Sequence, residues 1–206
     1  MKTRFYIVRH GETEANVKDL IQGQLESSLT KLGKMQAQDR AKDFTNLDFT
    51  AAYSSDLSRA KDTAKILVAN SLEVIADKRL RERRYADLEN MIVSEAKTQF
   101  ARRFALRESL SRDERIKFRL TEGVENDKEL MERLTEFLVE KTEEHLNKKI
   151  LLVAHGDLLR SFLMWLGEYQ YGELRGGSID NLGYFVLEND GENFEVLETV
   201  GVKKKN

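Results

Sequence analysis

A chain of 206 residues, 40% hydrophobic and 34% charged, can bury one sizeable core and stay soluble, and its formal net charge of −2 argues against a nucleic-acid partner. It has no cysteine, which excludes disulfides, thiolate catalysis and thiolate metal sites, and no proline, so Gly, Asn and Asp must shape its loops. The longest apolar runs, such as ILLVA at 150–154, fall far short of the roughly 20 residues a membrane helix needs, and Arg9 interrupts the apolar N-terminus too early for a signal peptide; the expectation is a soluble, cytoplasmic protein without a membrane partner.

TRFYIV, from Thr3, reads as a short buried strand. LTKLGKMQAQDRAKDF carries Leu32, Met35 and Phe44 among helix formers and predicts a helix starting near Thr30, with those three on its apolar face. FTAAYSS, from Phe49, is strand-like. DLSRAKDTAKILVAN places Leu57, Ala60, Ala64 and Leu67 three and four residues apart, an amphipathic helix, and LEVIA at 72–76 is strand-like again. From about 90 to 122 the chain is highly charged and helical in tone. Asn126 and Glu129 form a capping-box signature opening a helix with Leu130, Leu134, Phe137 and Leu138 on one face. KILLVAHG is a buried strand, DLLRSFLMWLG a helix, and YFVLE and FEVLE flank the turn residues Asp190-Gly191 of a closing hairpin. Strands alternating with helices predict an α/β fold with a largely parallel sheet, to which the hairpin adds antiparallel character. One domain is expected, with 83–124 as a helical insertion or lid, and the hairpin's edge strand offers a surface for a homodimer.

Two of the three histidines share one setting: IVRHG at His10 and VAHG at His155 each end a buried strand and precede a glycine. Ligands of open α/β sheets gather at the carboxyl ends of strands, so the two are expected to face one crevice. A single histidine at a strand end is ordinarily a satisfied loop residue; two in matched settings reverse that preference. His145, near a helix C-terminus, suits the helix dipole and is assigned no role. Arg9 precedes His10, and Arg59 lies in the first turn of a helix that follows a strand; two guanidiniums and two imidazoles at strand ends suit a phosphoryl group. For Arg59 alone, an exposed helix arginine is an equal reading. A histidine beside phosphate can attack phosphorus, and the leaving oxygen then needs a proton from an enclosed carboxyl, for which Glu82, after a strand, is the best-placed candidate.

VRHGETEAN (8–16), LTKLGKMQA (29–37), YSSDLSRAKDTA (53–64), LRERRYADLEN (80–90) and VAHGDLLR (153–160) together resemble the histidine phosphatase superfamily. The branch is that of cofactor-dependent phosphoglycerate mutase, the fructose-2,6-bisphosphatase domain and small bacterial phosphatases. The resemblance implies a three-layer α/β/α sandwich and a mechanism needing neither metal nor other cofactor. It implies His10 as nucleophile, Glu82 as general acid and base, and Arg9, Arg59, His155 and Asn16 as the phosphate pocket. Thr13, Gln22 and Gly23 match the loop beside that pocket, the Gly156 amide is placed to hold phosphate, and Glu125 resembles a glutamate of the family that is paired with serine, here Asn126. Other departures are Ala86 and Asn90 where the family has glycines, and Asp157 where mutases carry asparagine; a carboxylate there repels phosphate unless it faces away.

Residues 83–124 hold ten Lys or Arg and seven Asp or Glu, an excess that could draw in an anion, although a solvated helix surface is the simpler reading for most of them. Phe100, Phe104 and Leu110 are expected to pack the lid, and Arg83, Arg84 and Tyr85 to be the substrate contacts, with Arg102 and Arg103 as stand-ins for the mutases' substrate arginines. The leading expectation is a metal-independent phosphomonoester hydrolase acting through phospho-His10 on small phosphorylated metabolites. The alternatives are a cofactor-dependent phosphoglycerate mutase, a phospho-ligand binding protein and a His/Glu metal hydrolase, the last opposed by the arginines beside the histidines.

Overall fold

The computed structural model describes residues 1–69 and 71–205. In chain order these form β1 (Thr3–Arg9), α1 (Glu14–Val17), α2 (Lys31–Phe44), β2 (Phe49–Ser54), α3 (Ser58–Leu67), β3 (Val74–Ala76), α4 (Val93–Gln99), α5 (Ala101–Ser109), α6 (Arg112–Arg115), α7 (Asp127–Glu144), β4 (Lys149–Ala154), α8 (Gly156–Trp165), β5 (Ile179–Asn189) and β6 (Phe194–Val202). The strands make one sheet in the order β3-β2-β4-β1-β5-β6. The first four are mutually parallel; β5 runs antiparallel to β1 and β6 antiparallel to β5.

Both faces of the sheet are covered, which is why its central strands read as unbroken apolar runs. Phe5 and Ile7 of β1, with Ile150 and Leu152 of β4, pack on one face against Leu130, Leu134, Phe137 and Leu138 of α7 and Leu159 and Phe162 of α8. Tyr6, Val8, Leu151 and Val153 point the other way, toward Ala37 and Phe44 of α2 and Ala60, Ala64 and Leu67 of α3. The result is the expected α/β/α sandwich. Asn126 caps α7 as its sequence predicts, accepting from the Glu129 amide at 2.9 Å while Glu129 accepts from the Asn126 amide.

Three elements depart from expectation. Helix α2 starts at the predicted cap, Thr30, but Leu32 and Met35 are half exposed, and the buried face is Gly33, Ala37 and Phe44. The reason is backbone packing: a Cβ on Gly33 would lie 2.1 Å from the Glu12 carbonyl, so the first turn of α2 presses directly on the loop after His10 and leaves no room for large side chains. The third strand is only Val74–Ala76, at the sheet edge and mostly exposed. The hairpin is longer than YFVLE and FEVLE, because pairing resumes at Ile179 and Val202 beyond an irregularity where Leu182 (φ 59°) and Gly201 (φ 70°) are left-handed; such a break hides strand periodicity.

Segment 83–124 carries α4, α5, α6 and a 3₁₀ turn, Ala86–Leu88, around a small cluster of its own: Leu88, Ala96, Leu120 and Val124, with Phe100, Phe104 and Phe118 packed on it. Leu110 is not in that cluster. Among the described residues no helix is long and apolar enough to cross a membrane.

Candidate active site

β1 and β4 pair in parallel with Arg9 opposite Ala154, and the His10 amide donates to the Ala154 carbonyl at 3.0 Å. Two strands in this register release their next residues, His10 and His155, side by side. Their ring centroids are 5.2 Å apart, edge to face, and both rings are almost wholly buried.

The His10 tautomer follows from its partner. Nδ1 lies 2.7 Å from the Gly11 carbonyl oxygen, which can only accept, so Nδ1 carries the hydrogen and Nε2 keeps a lone pair. Burial, then the charges of Arg59 and Arg9, lower the imidazole's pKa well below its ordinary 6.5. For His155 the causes are burial, Arg59 and His10, and the shift has the same direction. Both rings are therefore neutral at neutral pH. Neither nitrogen of His155 has a hydrogen-bond partner.

Arg59, at 1% exposure, is not a surface helix arginine. Its Nη1 donates to the Leu25 carbonyl and Nη2 to the Gly23 carbonyl, both at 2.7 Å, and burial pushes its pKa down to about 10. Arg9 donates through Nη1 to the Ile179 carbonyl. The Nε atoms of both arginines are buried without partners. Two guanidiniums and an imidazole with unspent donors, packed around one neutral histidine, suit an anion with several oxygens.

Glu82 caps α8. Its carboxylate accepts from the amides of Asp157 and Leu158, each at 2.9 Å, and from that of Arg83 at 2.8 Å. Those donors favour the ionised form, but burial and then the charge of Asp157 outweigh them, and the Glu82 pKa is raised. Asp157 itself faces away from the histidines, toward Arg83 (2.7 Å), Arg160 and the Tyr85 hydroxyl. Burial opposes its charge, yet Arg160, Arg83 and Tyr85 hold it well below the usual carboxylate range. Its expected repulsion of phosphate is neutralised within the protein.

The cleft has a volume of about 690 Å³ and includes Arg9, His10, Arg59, Glu82, Asn16, Gln22 and Gly156 in its walls. His155, fully buried behind His10, is not in its lining, and neither are Thr13 and Gly23. Thr13, fully buried, caps α1 and bonds Asn16 and Gln22; Gly23, left-handed at φ 51°, offers its carbonyl to Arg59 and has the Glu89 carboxylate against its α-carbon. Both hold the residues that line the cleft. Arg83 lines the cleft, but its side chain is buried and held by Asp157 at 2.7 Å and Asp127 at 2.6 Å. Arg84 is exposed and outside the cleft, whereas Tyr85 lines it. Arg102 and Arg103 do not line it either: Arg102 is exposed, and Arg103 donates to the Leu120 and Arg119 carbonyls and stacks on Phe118. Glu125 holds Arg133 at 2.7 Å, and Arg133 bonds the Arg79 and Glu82 carbonyls, so this pair fixes the Glu82 loop.

Three supporting residues escape a sequence reading. Thr63 Oγ1 accepts from the Gly11 amide and donates to the Arg59 carbonyl, and its place four residues after Arg59, on the same helix face, is the one available signal. Asn181 donates to the His10 carbonyl at 3.0 Å from an irregular stretch of β5 that no pattern marks. Glu89 ties the Gln24 and Tyr85 amides together at 3.0 and 2.9 Å. Among the described residues no three His, Asp or Glu side chains converge so as to hold a metal ion.

A doubly covered sheet with paired histidines at the ends of its central strands defines the phosphoglycerate mutase-like class of α/β protein. The sequence model of the histidine phosphatase superfamily (branch 1) matches residues 5–200, and the chain belongs to that superfamily. It is 34% identical over 158 residues to phosphoglycerate mutase-like protein 4 of Arabidopsis thaliana, covering 75% of this chain and 67% of that one. It is 43% identical over 97 residues to the fructose-2,6-bisphosphatase TIGAR of Xenopus tropicalis, 44% of this chain but only 35% of that one, so it spans about a third of that relative. A mycobacterial glucosyl-3-phosphoglycerate phosphatase, solved with VO3, superposes with a TM-score of 0.81 at 26% identity over 97% of this chain and 99% of its own. These relatives support phosphatase or mutase activity.

Proposed function

We propose that the protein is a metal-independent phosphomonoester hydrolase that works through a phosphohistidine on small phosphorylated metabolites. One observation carries the reading: His10 is held as the Nδ1–H tautomer, its Nε2 lone pair free, between two buried guanidiniums with unpartnered Nε atoms.

In the first half-reaction, Nε2 attacks phosphorus as the phosphorus–oxygen ester bond breaks. Glu82, whose pKa is raised by burial and by the charge of Asp157, gives a proton to the leaving alkoxide. Arg9, Arg59 and His155 bond the equatorial oxygens as charge spreads over them, assisted by Asn16, Gln22 and the Gly156 amide. In the second, the Glu82 carboxylate takes a proton from water, the oxygen attacks phosphorus, and the phosphorus–nitrogen bond breaks to release phosphate and neutral His10.

The test is hydrolysis of p-nitrophenyl phosphate in EDTA, with acid-labile phosphate trapped on His10. His10→Ala is expected to lower kcat by at least about 10³-fold; full turnover by that variant sinks the nucleophile assignment. A second reading, phosphoglycerate mutase, is favoured by the name of the Arabidopsis relative and opposed by the absence of Arg102 and Arg103 from the cleft. Bisphosphoglycerate-dependent interconversion of 3- and 2-phosphoglycerate, faster than hydrolysis of either, would replace the first reading with it.

A further inference from the structure

The cleft extends well past the histidines, under the α4–α6 segment. Beyond Glu82 and Tyr85 its walls become apolar: Leu88, Phe104, Phe118 and Leu120 on the lid side, Met164 and Leu174 on the other. Such side chains suit a hydrocarbon body.

Arg115, at the end of α6, also lines this cleft. It is 9% exposed, yet among the described residues no carboxylate pairs with it. Its Nη1 makes one long bond, 3.5 Å, to the Arg107 carbonyl, its Nε is buried without a partner, and its guanidinium lies 5.0 Å over the Tyr171 ring, whose hydroxyl is also buried and unpartnered. The other cations of the distal cleft are accounted for. Arg83, Arg107 and Arg160 are paired with Asp127 or Asp157, and Lys97 and Arg175 are exposed at the rim. Glu108, the cleft carboxylate nearest in sequence, is exposed and makes no ion pair with Arg115.

A guanidinium with a buried, unpartnered Nε and no carboxylate in direct contact leaves donors that a ligand can satisfy. The charges that bear on it, Arg107 and Asp127 foremost, are not those that bear on His10, which are Arg59 and Arg9. Arg115 and His10 both line this one cleft, and apolar side chains are among its walls.

We infer that Arg115 is a specificity residue that binds a second anionic group, and that the preferred substrate is a phosphomonoester with a hydrocarbon body ending in a carboxylate or a second phosphate. This rests on the phosphatase reading for the orientation of the ester, but not for the second anchor, so its test is a binding measurement. Titration calorimetry is run with non-hydrolysable alkyl phosphonates of two to eight carbons, ending in methyl, hydroxyl, carboxylate or phosphonate. The expected result is that at one chain length an anionic end binds at least about tenfold more tightly than methyl, as a charge-assisted hydrogen bond in a dry site gives. The carboxylate and phosphonate series then tell which anion it is. Arg115→Gln is expected to lose that tenfold while affecting methyl-ended phosphonates less than threefold, and Arg115→Lys to recover part of it.

Equal binding of methyl and anionic ends by the unaltered protein at every length overturns the inference without recourse to a variant. So does an equal loss for both ends in Arg115→Gln with full binding in Arg115→Lys, which would make the residue a prop for the lid. If the protein binds these ligands with the anionic preference but hydrolyses no phosphate ester, the phosphatase reading fails and the second anchor stands.

Discussion

At the scale of single residues, the site depends on pKa values being pushed apart. The pKa of Glu82 is raised by burial and the charge of Asp157, whereas that of Asp157, one residue into the helix Glu82 caps, is held, against burial, well below the usual carboxylate range by Arg160 and Arg83. The Asp157 charge is one cause of the rise at Glu82, so Asp157→Asn is expected to shift the alkaline limb of kcat/KM to lower pH. A limb that stays in place while kcat falls uniformly would show that Asp157 serves structure alone. Glu82→Gln is expected to cost more than about 10²-fold with alkyl phosphates and far less with p-nitrophenyl phosphate, whose leaving group needs no proton. The motifs around Arg9, His10, Arg59, Glu82 and His155 were legible in the sequence because each strand-to-loop junction is local. What the sequence hid was which side of a residue faces the ligand. Arg83 and Glu82 are neighbours in a loop; one side chain enters the protein interior and the other meets the helix end beside the cleft.

At the scale of elements, backbone conformation decides where pattern misleads. The positions where the family has glycine, Ala86 and Asn90, both keep left-handed backbones, at φ 49° and 68°. The loop is not reshaped by losing its glycines; it is strained by them. Asparagine tolerates this region and alanine does not, so Ala86→Gly is expected to stabilise by about 0.5–1 kcal/mol, and Asn90→Gly by less. Urea midpoints at constant m-value would check the order. In α2 the apolar pattern pointed to Leu32 and Met35, but those two are expected to tolerate Gln within about 0.5 kcal/mol. Gly33→Ala, which drives a methyl into the Glu12 carbonyl, is expected to cost about 1–3 kcal/mol and to lower activity through the His10 loop. Helix α7 shows the opposite case: its cap and four residues of its apolar face, Leu130, Leu134, Phe137 and Leu138, could be read directly, with only Met131 added by the structure, because a long helix packed on a sheet repeats one pattern for five turns.

At the scale of the whole molecule, ionisation links the site to stability. His10 and His155 are neutral in the folded protein, but the unfolded chain protonates them below their ordinary pKa of 6.5. The unfolded state then binds more protons, so stability falls as pH falls. Glu82 acts in the opposite sense, since its folded pKa is raised and its contribution is lost as pH rises. Two histidines outweigh one carboxyl, and a net loss of stability is expected as pH falls below 6.5. Thermal midpoints across that window should decline, and His155→Gln should flatten the decline; a midpoint indifferent to pH would contradict the buried neutral histidines. The lid is joined to the body by charge as well as by packing: Asp127 of α7 binds both Arg107 of α5 and Arg83, and Arg83 reaches Asp157 of α8. Arg83→Ala, which leaves two buried carboxylates short of a partner, is expected to cost about 3 kcal/mol. None of this long-range pairing is visible in a sequence, where those charges read as a solvated surface.

Of the six strands in the sheet, the central β1 is also the first in chain order. Phe5 lies between Ile150 and Leu187, so β1 has neither neighbour until most of the chain has followed it. During translation that apolar segment waits, unpaired, through some two-thirds of the polypeptide, while α2, β2 and α3 can begin to associate around it. A nascent chain stopped before Lys149 has His10 without its neighbour His155, and it presents an unpaired apolar strand. The strand is thus covered in two stages, on one edge when β4 emerges and on the other only when β5 follows it.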